Sequence, residues 1–110
     1  MWTQQAKISG PGGDTTYFGG AVAINEGNTI AVRAARTSSA VNYDGVLYVY
    51  QVTDPTDPNS SWTLKKTFKS SDIADGDNFG FSIEISKDGS VIGAGAITEG
   101  ANGSCYTFEV

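Results

Sequence analysis

Asn78-Phe79-Gly80-Phe81-Ser82-Ile83-Glu84-Ile85 sets alternating apolar residues behind a Phe-Gly step, and a matching phrase stands earlier as Tyr17-Phe18-Gly19-Gly20-Ala21-Val22-Ala23-Ile24. The recurrence continues on both sides. Trp2-Thr3 returns as Trp62-Thr63, and Gly45-Val46-Leu47-Tyr48-Val49-Tyr50 returns as Gly103-Ser104-Cys105-Tyr106-Thr107-Phe108. Repeats of roughly 50 to 60 residues mark propellers and other arrays, in which one unit cannot bury its own faces and needs neighbours.

Around these phrases, alternation and turn residues predict eight short strands. The first repeat gives Trp2 to Ser9, Phe18 to Asn25, Thr29 to Arg36 and Gly45 to Thr53; the second gives Trp62 to Lys69, Phe79 to Ser86, Ser90 to Ile97 and Gly103 to Val110. Phe18, Gly20, Val22 and Ile24 share one face of their strand, and Phe79, Phe81, Ile83 and Ile85 share the equivalent face. Asn25-Glu26-Gly27-Asn28 and Lys87-Asp88-Gly89 read as tight hairpin turns, since Gly and Asn tolerate the positive φ such turns need. The stretch from Thr53 to Ser61 carries two of the three prolines and reads as an exposed connection. Ala31 to Ala35 and Gly93 to Ala96 hold mostly small residues, which allow another backbone to approach closely.

The bulk numbers agree with an all-β chain. It has 110 residues, one domain's worth, with 14 glycines and no long helical period. No apolar run approaches the ~20 residues of a membrane span. Lys7, Arg33, Arg36, Lys65, Lys66, Lys69 and Lys87 are the seven basic residues, against twelve acidic ones, and a net charge of -5 argues against a nucleic-acid partner. Histidine, the commonest general base and metal ligand, is missing. A serine nucleophile therefore has no evident activating base, and no enzymatic activity is expected. Cys105 is the lone cysteine and, replacing Leu47 of the first repeat, reads as a small core hydrophobe. No secretory signal precedes Trp2, which suggests a small intracellular protein or a module cut from a longer chain.

With these residues placed, the chain resembles the FG-GAP repeat, the blade unit of integrin-type β-propellers. Phe18-Gly19 and Phe79-Gly80 stand for the FG element, and Gly93-Ala94-Gly95-Ala96 for the GAP-like element. The resemblance implies two repeats, 1–53 and 62–110, joined by a linker at 54–61, forming two β-propeller blades of antiparallel strands. It further implies an extracellular or cell-surface setting and a binding or adhesion role. Two features depart from the family pattern. The Asp-x-Asp-x-Asp-Gly calcium loop between the FG and GAP strands is replaced in both repeats by a tight turn. In the first repeat the GAP-like segment is Val32-Arg33-Ala34-Ala35-Arg36, with arginines where small residues are typical.

Propellers have about four to eight blades of four strands each. Counted from the FG element, Phe18 to Thr53 plus Trp62 to Lys69 fills one blade, while Phe79 to Val110 supplies three strands of the next. The missing outer strand has a spare copy in Trp2 to Ser9, placed to reach the last blade of a neighbouring chain. Head-to-tail contacts of this kind close into rings or run on as filaments. The expectation is a ring completed by self-association, a homotrimer of roughly six blades or, second, a tetramer of eight. The other reading is a fragment of a longer cell-surface propeller. A lone two-blade monomer would leave Trp2, Phe18, Tyr48, Phe79, Phe81, Tyr106 and Phe108 uncovered.

Several residues are candidates for binding. Asp72, Asp75 and Asp77 flank Gly76 and could wrap a Ca2+ ion with oxygen ligands, or simply form a solvated acidic loop. Arg33 and Arg36, repeated around an axis, could grip an anion bidentately; pairing with Asp44 or Glu99 is the simpler reading. Trp2 and Trp62 could stack on sugar rings, as in lectins built on small propellers, or pack at the start of an outer strand. Asn59-Ser60-Ser61 and Asn102-Gly103-Ser104 match the glycosylation sequon.

Overall fold

A computed structural model describes residues 4–10, 18–34, 45–68, 79–96 and 103–110. Seven strands are present among them: β1 Ala21–Ile24, β2 Thr29–Ala34, β3 Val46–Val52, β4 Trp62–Phe68, β5 Phe79–Ile85, β6 Val91–Ala96 and β7 Ser104–Glu109. They form a four-stranded sheet in the order β1-β2-β3-β4 and a three-stranded sheet in the order β5-β6-β7, antiparallel throughout. The all-β class and the division into four and three strands agree with the sequence reading. Trp62, the first residue of the second sequence repeat, opens the outer strand of the first sheet, so the second repeat crosses from one sheet to the next.

One predicted strand is corrected. Residues 4–9 are described and form no strand, and most of them are exposed. An extended segment becomes a strand only where its N–H and C=O groups pair with a sheet edge. Residues 4–9 lie beside Tyr50, Ser60 and Trp62 and join neither sheet.

The two sheets share one register. Val22 opposes Val32 and Ile24 opposes Ile30; in the second sheet Ile83 opposes Ala94 and Ile85 opposes Ile92. Ile30 with Tyr50 and Val32 with Tyr48 are matched by Ile92 with Phe108 and Ala94 with Tyr106. The positive-φ glycines correspond as well: Gly19 with Gly80, Gly27 with Gly89, and Gly45 with Gly103.

Both hairpin turns are closed by side chains that imitate backbone. Asn25 Oδ1 accepts from the backbone N–H of Asn28 (3.1 Å) and Thr29 (2.9 Å), while Asn25 Nδ2 donates to Asn28 Oδ1 (2.7 Å). In the second turn Asp88 Oδ1 accepts from Ser90 Oγ (2.7 Å), Ser90 N (3.0 Å) and Ser86 Oγ (2.9 Å). Those bonds, the one from the Ser90 hydroxyl first, draw the Asp88 carboxyl pKa from 3.8 down to about 2. The linker is built the same way: Asp54 Oδ1 accepts from Thr56 Oγ1 (2.7 Å) and Thr56 N (3.0 Å), which lowers its pKa.

The core lies between the sheets. Ala31, Leu47 and Val49 of the first sheet meet Ile92, Ala94 and Ala96 of the second, all six buried, with Phe68, Ile83, Ile85, Tyr106 and Phe108 packed around them. Full burial of a side chain such as Leu47 or Ile92 contributes about 1.5–3 kcal/mol. Phe68 at the end of β4 stacks on Phe108 of β7 with centroids 4.7 Å apart, linking the two sheets near their outer strands. The turns touch too, since Asn25 Nδ2 donates to the Lys87 carbonyl at 3.3 Å. Tyr106 and Phe108, expected to lie bare in a single chain, are therefore covered by the first sheet.

Candidate functional site

The shared register fixes which face of each sheet meets the other. Side chains alternate across a strand, so Ala31, Leu47 and Val49 lie on one face of the first sheet, with Thr29 and Arg33. The opposite face carries Val22, Ile24, Ile30, Val32, Tyr48 and Tyr50. The second sheet turns Ile83, Ile85, Ile92, Ala94, Tyr106 and Phe108 toward the first, and these are the counterparts of that opposite face. The contact is therefore directional: a face of the Leu47 kind receives a face of the Ile92 kind.

Each kind of face also occurs uncovered in part: on the first sheet the β1 end is open, while Val32 and Tyr50 on the same face are buried. On the first sheet Val22 and Ile24 are each 58% exposed, although their counterparts Ile83 and Ile85 pack against the core. They line, with Ile8, Phe18, Val32 and Trp62, an apolar groove of about 730 Å³. Phe18 stands over this face, its ring 6.0 Å from that of Tyr48 and 6.3 Å from that of Tyr50. Desolvation raises the Tyr50 pKa above its usual 10.0, with the neighbouring Tyr48 adding to the effect. On the second sheet the uncovered face is built mostly of small residues: Ser82, Glu84, Gly93, Gly95 and Cys105 border a shallow depression.

Cys105 corrects the sequence reading. It is exposed, whereas its counterpart Leu47 is fully buried. The strand position is the same; Leu47 is buried because a second sheet lies over it, and among the described residues nothing lies over Cys105.

The FG glycines show the same contrast. Gly80 has φ +80°, and a Cβ there would stand 2.8 Å from Leu47 Cδ2 and 3.2 Å from Arg33 Cγ and Cδ. It is thus the contact point of the second sheet on the first. Gly19 has φ +94°, and among the described residues a Cβ there meets nothing within 4 Å. Residue type carries no signal of this difference, because both positions are simply Phe-Gly.

This geometry agrees with one family. Residues 62–108 match the family model described as FG-GAP repeat. The matched stretch opens on β4 in one sheet and continues through β5, β6 and β7 in the next, so it spans a sheet boundary. No curated protein and no solved structure matches the chain.

Among the candidate binding residues, Arg33 is half-buried, and its aliphatic stem packs at the sheet–sheet contact beside Gly80. Trp62 is half-buried at the start of β4 and lines the apolar groove. Trp2, Arg36, Asp72, Asp75 and Asp77 lie outside the described residues. Among the described residues no group of three His, Cys, Asp or Glu side chains is placed to hold a metal. Among the described residues no helix is long and apolar enough to cross a membrane.

Proposed function

We propose that the chain is a non-enzymatic binding or adhesion module whose two blades are completed into a closed β-propeller by head-to-tail association of copies. The observation that carries this reading is the directional sheet–sheet contact with one face of each kind left open. Such a contact, repeated from copy to copy, closes into a ring when its rotation divides a full turn. Three chains give roughly six blades and four give eight, both within the range that propellers use. In this reading ligands, protein or glycan, meet the rim loops or the axial channel, since propellers present function on connecting segments. The family resemblance supports an extracellular or cell-surface setting.

The associated species, imaged by negative-stain electron microscopy, is expected to be a closed ring of roughly six or eight lobes. Open filaments, or particles of single-chain size only, would contradict this reading; the latter would favour a fragment of a longer propeller. The position of Trp62 at the edge of the apolar groove supports a second reading, a carbohydrate-binding small propeller. Glycan-array binding lost in Trp62→Ala, with the ring intact, would favour the lectin.

A further inference from the structure

The geometry points to a specific docking surface for a second copy: the Val22–Ile24 face of one chain seats on the Gly95–Cys105 face of the next, with Gly19 against Gly95 and Cys105. This rests on the self-association reading and assigns its contact. The template lies within the chain. Gly80 packs against Arg33 and Leu47, which oppose each other across β2 and β3. Gly95 and Cys105 oppose each other at the equivalent register across β6 and β7, and Gly19 is the equivalent of Gly80. Repeating the internal contact therefore brings Gly19 of one chain onto residues 95 and 105 of another. There Cys105 stands where Leu47 meets Gly80, and Gly95, with no side chain, stands where Arg33 does.

Residues 4–9 fit the same arrangement. β4 completes the first sheet and leads toward β5 of the sheet that covers it. Residues 2–9, the sequence counterpart of β4, lead in the same way toward β1. Residues 4–8 flank the open Val22–Ile24 face, where the docked copy's β7 edge lacks an outer strand. Unpaired edges of this kind accept strands from other chains. Docking then covers an apolar face and pairs an open edge in one step.

The test uses two variants, each disabling one face. Val22→Asp places a charge on a side chain that is 58% exposed in the single chain, so its fold is retained while docking fails. Cys105→Arg places a long cation on the exposed opposite face. Each variant alone is expected to sediment as a single chain, and an equimolar mixture is expected to form a capped dimer, since each retains one working face. In the wild-type assembly, maleimide labelling of Cys105 is expected to slow at least about tenfold against the dilute chain, because access controls thiol reactivity. A wild-type assembly whose Cys105 labels as fast as unfolded protein, or variants that assemble normally, would overturn this contact while leaving self-association standing. A wild-type chain that never associates would overturn both.

Discussion

Alanine at the two FG glycines separates backbone strain from sheet–sheet contact. Gly19→Ala and Gly80→Ala place the same methyl at φ +94° and +80° respectively. An L-residue in that region costs about 1–2 kcal/mol at either site. The gain from a stiffer unfolded chain is equal in both and cancels in the comparison. At Gly80 the new Cβ would stand 2.8 Å from Leu47 Cδ2, and Leu47 is 0% exposed, with no space to swing into. Overpacking of that kind adds about 1–3 kcal/mol. Gly80→Ala is therefore expected to lose about 2–5 kcal/mol and Gly19→Ala about 1–2 kcal/mol. Urea unfolding of dilute protein, followed by tryptophan fluorescence, measures the difference; in melting temperature it amounts to about 4–8 °C per kcal/mol. Equal losses at the two sites would refute the packing of Gly80 on the first sheet.

Three further outcomes follow from the same contacts. Ile92→Ala, at a fully buried position between the sheets, is expected to cost about 2–5 kcal/mol in denaturant unfolding; a loss under 1 kcal/mol would mean that the sheets do not share a core. Asn25→Ala removes the acceptor for two backbone N–H groups, one of them that of the buried Thr29, and is expected to cost about 1–3 kcal/mol by thermal melting. Asp88 has a folded pKa of about 2 against an ordinary 3.8, so its contribution is whole above pH 3.8 and lost as pH falls toward 2. An NMR titration should place the wild-type midpoint near 2, and Ser90→Ala should move it upward, since the Ser90 hydroxyl is the leading cause.

Much of the fold was legible because it rests on local signals. Alternation at Ile83 and Ile85 and the turn glycines Gly27 and Gly89 fix strands and hairpins without reference to the rest of the chain. The repeat was legible because Trp62 and Phe79-Gly80 recur as residue types. Burial was not legible where it depends on a neighbouring sheet. Cys105 and Leu47 hold one strand position and have opposite exposure, since strand position sets a face and stacking decides whether that face is covered. The strand expected at residues 2–9 is missing over 4–9, because alternation marks an extended segment without saying which sheet edge it pairs with. Arg33 looked anomalous among small residues, yet its stem fills the space beside Gly80 that a Cβ there would take.

The most direct test of propeller completion by copies is the solution mass of the chain, by light scattering over a range of concentrations. The account predicts a stable plateau at about three times the single-chain mass of 11.5 kDa, or at about four times if the ring holds eight blades. A mass that stays at 11.5 kDa at every concentration would contradict it.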